Sequence, residues 1–296
     1  MGPDMVHNLP VLGQIPNTWS IVEFGTLLDG SARNGVYKPK EFHGRGAKII
    51  NMGELFAHPR LRAIPMRRVE LTPEELLRSG IKQGDLLFAR RSLVAEGAGK
   101  CAIVLEVEEP TTFESSLIRA RPNSAVADSL FLFYLFNSPF GSYALGSILR
   151  QVAVSGIASS DLVKLRLPLP PLAEQRAIAR IFGTLDEKIE LNQRMNGTLE
   201  EIVRAVFRSW FVDFDPVHAN AEGRQPEGMD AATASLFPDA FNETKSVPSG
   251  WEIHITLIAS CRSWAVPWTI GLLDDAIAHG RAAHERRFHC NGVCGA

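Results

Sequence analysis

The amino-acid sequence predicts an α+β protein, a mixed αβ domain followed by one long coiled-coil-forming helix, on three observations. Up to about residue 165, short apolar or alternating runs are separated by Gly, Pro and Asn punctuation, the mark of short strands joined by loops. From Pro168 the run PLPPLAEQRAIARIFGTLDEKIELNQ tips from prolines straight into a helix with a seven-residue apolar repeat. Past residue 212 the chain turns acidic, and past residue 253 its composition changes again.

The chain is long enough for a sizeable core: 296 residues, 45% of them hydrophobic, with a formal net charge of -2, suit one or two globular domains. It holds no run of about 18 apolar residues, and its start, MGPDMVHNLP, lacks a basic-then-apolar pattern. Neither a membrane span nor a secretion signal is indicated, and the cytoplasm is the expected compartment. Four cysteines in this length fit reduced thiols better than a disulfide framework.

Taken in order, residues 1–168 form the front domain. Its runs DLLFA, CAIVLEV and SSLIRA read as strands, and VADSLFLFYLFNSPFGSYALGSIL (126–149) as a helical insertion divided by a Ser-Pro pair. Residues 169–214 hold the long helix, 215–246 read as an acidic linker bearing Pro and Gly, and 247–296 as a tail. The charge is unevenly spread. From Ser31 to Lys100 there are fourteen Lys plus Arg against seven Asp plus Glu, and from Val212 to Ile253 eight acids against two bases. A basic stretch with Gly-rich turns, as in NGVYKPKEFHGRGAK and FARRSLVAEGAGK, is what a phosphate-backbone footprint requires, because each contacted phosphate releases counterions. Arg45, Lys48, Arg90, Arg91 and Lys100 are the candidate DNA contacts. A solvated charged surface is the competing account of the same residues.

In the long helix, Ile178, Leu185, Asn192, Leu199 and Val206 fall seven apart, flanked by Phe182, Ile189, Asn196, Val203 and Trp210. Such a stripe is a helix-pairing seam, and a helix of this length outruns the core of one domain. Asn192 and Asn196 cost stability at an apolar interface but fix its register. A helix bent over its own domain is the alternative, which Gly183 and Gly197 permit.

Residues 157–217 closely resemble the central conserved region of specificity subunits of type I restriction-modification systems. Pro170-Pro171 with Glu174-Gln175, Leu185-Asp186 with Ile189, and Trp210-Phe211 with Asp213 carry the likeness. GDLLFARRSLVAEGAGKCAIV and SSLIRARPN resemble the more variable target-recognition domain of that family, and AEGRQPEGMDAATASLFPDAF the segment before its second half. The resemblance implies a non-catalytic subunit that reads half of a split sequence in double-stranded DNA. It further implies antiparallel pairing of the long helix as a spacer, and docking of methyltransferase and restriction (translocase-nuclease) subunits. S-adenosylmethionine would then belong to the methyltransferase partner, with no cofactor on this chain; the residues themselves give no metal site.

Pro16, Trp19 and Ile21 share their frame with Pro248, Trp251 and Ile253, an internal repeat that marks the start of a second recognition domain near residue 247. The 37 residues from Ser260 instead contain three of the four cysteines, which suggests out-of-frame coding after an insertion or deletion. His284, His289, Cys290 and Cys294 have poor zinc-site spacing. Gly97-Ala98-Gly99-Lys100 lacks the spacing of a nucleotide P-loop and reads as a tight turn, while Asp213-Phe214-Asp215 reads as a helix end. With one recognition domain and one spacer helix, a homodimer reading a palindromic split target is expected, with the tail dispensable. An inactive remnant acting only as a coiled-coil assembly module is the alternative.

Overall fold

The computed structural model describes residues 8–9, 13–92, 97–150, 155–242 and 247–251. Ile253, the four His and Cys residues of the tail and the expected change of reading frame lie outside the described residues. The chain divides into two compact units, Met1–Thr198 and Leu199–Ala296, with the boundary inside the long helix.

The first unit is built on a five-stranded sheet in the order Arg33–Asn34, Leu117–Ala120, Leu86–Ala89, Cys101–Val104, Arg60–Leu61. All neighbours are antiparallel except the last pair. The central runs are continuously apolar because both faces of the sheet are covered. Leu86, Phe88, Cys101, Ile103 and Ile118 point into one core, and Leu87, Ala89, Ala102, Val104 and Leu117 into the other. Successive side chains of a strand alternate faces, so each run feeds both cores. Phe24, Phe88 and Phe136 meet edge-on in the first core, at centroid distances of 4.9 to 6.0 Å.

That core is roofed by the helices Ser129–Phe136 and Pro139–Ser147. The expected Ser-Pro division falls between them: the Ser138 side chain accepts from the Gly141 N–H and Pro139 opens the second helix, where a missing N–H costs nothing. A second sheet sets His43–Ile50 between Thr111–Phe113 and Arg67–Val69. The strand Arg166–Leu169 pairs antiparallel with Ser20–Glu23, which delivers the chain into the long helix beside Trp19.

The long helix spans Leu172–Phe211. At about 1.5 Å per residue it is roughly 60 Å long. Its first turns are docked on the domain through polar and small residues. Gln175 is buried, donating from Nε2 to the Pro170 carbonyl at 2.9 Å and accepting the Asp128 N–H at 2.8 Å. Glu174 accepts from Trp19 Nε1 at 3.1 Å, and Ala179 and Gly183 are buried one and two turns on. Further along, the Tyr134 hydroxyl donates to Asp186 Oδ2 at 2.7 Å, and Arg60 Nη1 lies 2.9 Å from Glu190 Oε1. These residues lie on one side of the helix, and the apolar stripe runs beside that docked side, with Ile178 packed on the domain and the residues from Phe182 onward exposed.

In the second unit the stretch read as an acidic linker is folded, at least through residue 242. Helices Asp215–Ala221 and Ala231–Ala234 enclose Val217, Met229, Ala234 and Phe237, with Trp210, Phe214 and Phe241 against them. Its acids Asp213, Asp215, Glu222, Glu227, Asp230 and Asp239 are all exposed. Composition records the solvated acids and conceals a few apolar residues spaced far apart. The helix ends as expected at the Asp-Phe-Asp run: Phe214 takes a left-handed conformation at φ 55°, and Asp213 and Asp215 tie back to Arg208 and Ser209. Both frames of the internal repeat form the same turn, with the Trp19 N–H on the Pro16 carbonyl at 2.9 Å and the Trp251 N–H on the Pro248 carbonyl at 3.1 Å.

Candidate nucleic-acid interface

Three of the five candidate cations meet at one end of the central sheet. The Ala89 N–H donates to the Lys100 carbonyl, and the Gly99 N–H donates back to Ala89. Gly99 has φ +82°, a backbone conformation that L side chains rarely adopt, so the turn expected of this Gly-rich run needs this glycine. The Arg90 N–H donates to the Ser116 carbonyl at 2.8 Å, and Arg91 opens a short strand paired with Ser155–Gly156. Arg91 and Lys100 are exposed, Lys100 with its Nζ 5.1 Å from the Phe56 ring centroid. Arg90 is half-buried, its Nη1 3.4 Å from the Ser115 carbonyl.

Arg45 and Lys48 lie on the other sheet. Lys48 is ion-paired to Glu109 at 2.9 Å, and Arg68 holds the same carboxylate at 2.8 Å. Hydrogen bonds from Lys48 and then Arg68 keep the Glu109 carboxyl below the usual range. Arg45 is exposed and donates from Nε and Nη2 to Glu70. An exposed pair of this kind is worth about 0–1 kcal/mol, so Arg45 can exchange Glu70 for a phosphate at little cost. Lys48 is largely enclosed, and its charge is spent within the fold.

The seam residues divide as well. Leu185, Ile189, Leu199 and Val203 are each 53–54% exposed, Phe182 lies against the Tyr134 ring and stays half-exposed, and Val206, Asn192 and Asn196 are exposed. Ile178 packs on the first core and Trp210 on the aromatic cluster of the second unit. The open stripe therefore runs from Phe182 to Asn196 in the first unit and from Leu199 to Val206 in the second.

Sequence reasoning passed over the residues that hold these surfaces in place. Asp85 is fully buried and takes Arg121 Nε at 2.6 Å and Nη2 at 2.7 Å. Arg119 and Arg121 also cap the Gly80 carbonyl. The signal was the acid before an apolar run and the alternating arginines of LIRAR, which read as surface charge until the strands are paired. Cys101 is a free, buried thiol whose pKa burial pushes well up, so it is inert. Among the described residues no group of three or more His, Cys, Asp or Glu could hold a metal ion, and no helix is long and apolar enough to cross a membrane.

A family model described as type I restriction modification DNA specificity domain matches residues 78–201, which take in the Arg90, Arg91 and Lys100 turn and the first thirty residues of the helix. The chain is 32% identical over 161 residues to the type I restriction enzyme HindI specificity subunit of Haemophilus influenzae, covering 54% of this chain and 34% of that protein. It is 25% identical over 246 residues to the MjaIX specificity subunit of Methanocaldococcus jannaschii, covering 82% and 51%. The chain thus spans a third to a half of the length of these relatives. A crystal structure of the HsdS subunit from Thermoanaerobacter tengcongensis is 21% identical, with a TM-score of 0.44 over 74% of this chain and 53% of that one.

Proposed function

We propose that this chain is a non-catalytic DNA-reading subunit, a reading supported by the match of residues 78–201 to the family model described as type I restriction modification DNA specificity domain. Its front domain binds half of a bipartite target in double-stranded DNA, and its long helix pairs with a second long helix to set the distance between half-sites. The observation that carries this reading is that one chain joins the exposed cations Arg91 and Lys100 to a 40-residue helix whose apolar stripe is exposed from Phe182 onward. Methyltransferase subunits, which bring S-adenosylmethionine, and a translocase-nuclease subunit would assemble on this scaffold. A second copy of the chain offers an identical seam, and two-fold pairing of two recognition domains would read a palindromic split target.

A salt titration of DNA binding tests the reading. Exchanging both Arg90 and Arg91 for Ala frees two phosphates at most, and the slope of log K against log salt should fall by roughly 0.9 for each phosphate no longer neutralised. Unchanged affinity and slope would remove this surface from the proposal. Helix association without any DNA binding would leave a coiled-coil assembly module instead.

A further inference from the structure

We propose that Tyr37 contacts a base, as part of the same DNA-reading surface as Arg90, Arg91 and Lys100; the proposal rests on the DNA-reading function above. Tyr37 is 81% exposed, the highest value for an aromatic side chain among the described residues. Its neighbours are fixed. The Gly35 N–H donates to the Leu117 carbonyl at 3.3 Å and the Val36 N–H to the Phe113 carbonyl at 2.9 Å, and Val36 is buried against Ile49 and Val69. A Cβ on Gly35 would come within 2.1 Å of the Phe113 carbonyl, so the strand passes this point only as glycine. On the other side Lys38 is ion-paired to Glu75 at 2.7 Å, and its carbonyl lies 3.2 Å from His43 Nε2. The ring is thus held in water by a backbone anchored on both flanks, which removes much of the ordering cost of binding through it.

Its place in the fold decides what it meets. The adjacent carbonyls of Ser116 and Leu117 receive the N–H groups of Arg90 and Gly35, so Tyr37 leaves the sheet at the end where the basic turn projects. Along the chain Arg33 and Lys40 lie on either side of it, exposed and without an ion pair among the described residues, and Glu41 is the one acid from residue 31 to 48. Unpaired cations a few residues to either side of an exposed ring favour a polyanion over a protein partner. Within DNA an aromatic ring supplies what phosphate contacts cannot, apolar contact in the groove together with a hydroxyl able to bond a base edge.

The test uses the full chain and a duplex selected by it from a randomised pool. Tyr37→Ala should weaken binding to the selected duplex roughly 5- to 100-fold, the loss expected for one good base contact. It should leave unchanged both the salt slope, since no charge is removed, and the binding of random duplex. Tyr37→Phe separates ring from hydroxyl, and retention of thermal stability in both variants shows that the fold is intact. Wild-type affinity of Tyr37→Ala for the selected duplex, or an equal loss on selected and random duplex, overturns the assignment of Tyr37 while leaving DNA reading in place. A wild-type chain that binds no duplex at any salt overturns both. Loss of a methyltransferase complex with DNA binding intact assigns Tyr37 to a protein interface and also overturns the proposal.

Discussion

Asp85 holds the front domain together from a position where the sequence shows only an acid before an apolar run. Its carboxylate receives both forks of Arg121 and the Lys82 N–H at 2.7 Å, with no exposed surface of its own. Removing one partner of a buried pair leaves the other uncompensated, so Asp85→Ala should cost about 3 kcal/mol in denaturant unfolding, the low end of the range because Arg121 keeps 22% of its side chain in water. Tyr134 gives a pH signature. Burial, and then the hydrogen bond to Asp186, push its hydroxyl pKa up from an ordinary value of 10.0. A raised tyrosine pKa means that the folded state favours the neutral form. This contribution to stability is complete below about pH 10 and is lost as pH rises above it. Thermal melts between pH 9 and 12 should therefore show a steeper alkaline loss in the wild type than in Tyr134→Phe.

At the scale of the element, the long helix carries two faces with different tasks. The inner face, Gln175, Ala179, Gly183, Asp186 and Glu190, is small or polar; a Cβ on Gly183 would sit 3.1 Å from Leu130. Arg60 is nearly enclosed against Asp186 and Glu190, but its Nη1 makes no hydrogen bond there, so the pairing is one of charge. Arg60→Ala should raise amide exchange over residues 183–194 while strands of the central sheet stay protected, since the substitution frees only the outer end of the docked stretch. The outer stripe answers to a different experiment. Leu185→Asp with Leu199→Asp places carboxylates in the seam and should abolish association with a second helix, at a cost of several kcal/mol, with the front domain still folded. Sedimentation showing the same mass before and after the exchange would refute pairing through this stripe.

For the molecule as a whole, self-pairing through the open stripe predicts a species of twice the 32.5 kDa of one chain in solution, absent in the double aspartate variant. The sequence by itself determined the elements whose signals are local: the seven-residue repeat of the helix, the Ser138-Pro139 break, the apolar strands, the glycine turn before Cys101 and the helix end at Phe214. Each of these depends on residues within a few positions of one another, where periodicity and backbone restriction act directly. Tertiary structure alone decided which charges are free. Lys48 and Arg45 share one basic run with Tyr37, yet Lys48 is consumed by Glu109, 61 positions on, and Arg45 faces Glu70. Asp85 finds Arg121 across neighbouring strands, and the acidic stretch after residue 215 hides a core of apolar residues too far apart to form a pattern. Charge pairing and core membership depend on distance in space, which a chain folding two sheets and a helix together fixes only when strand order and register are known.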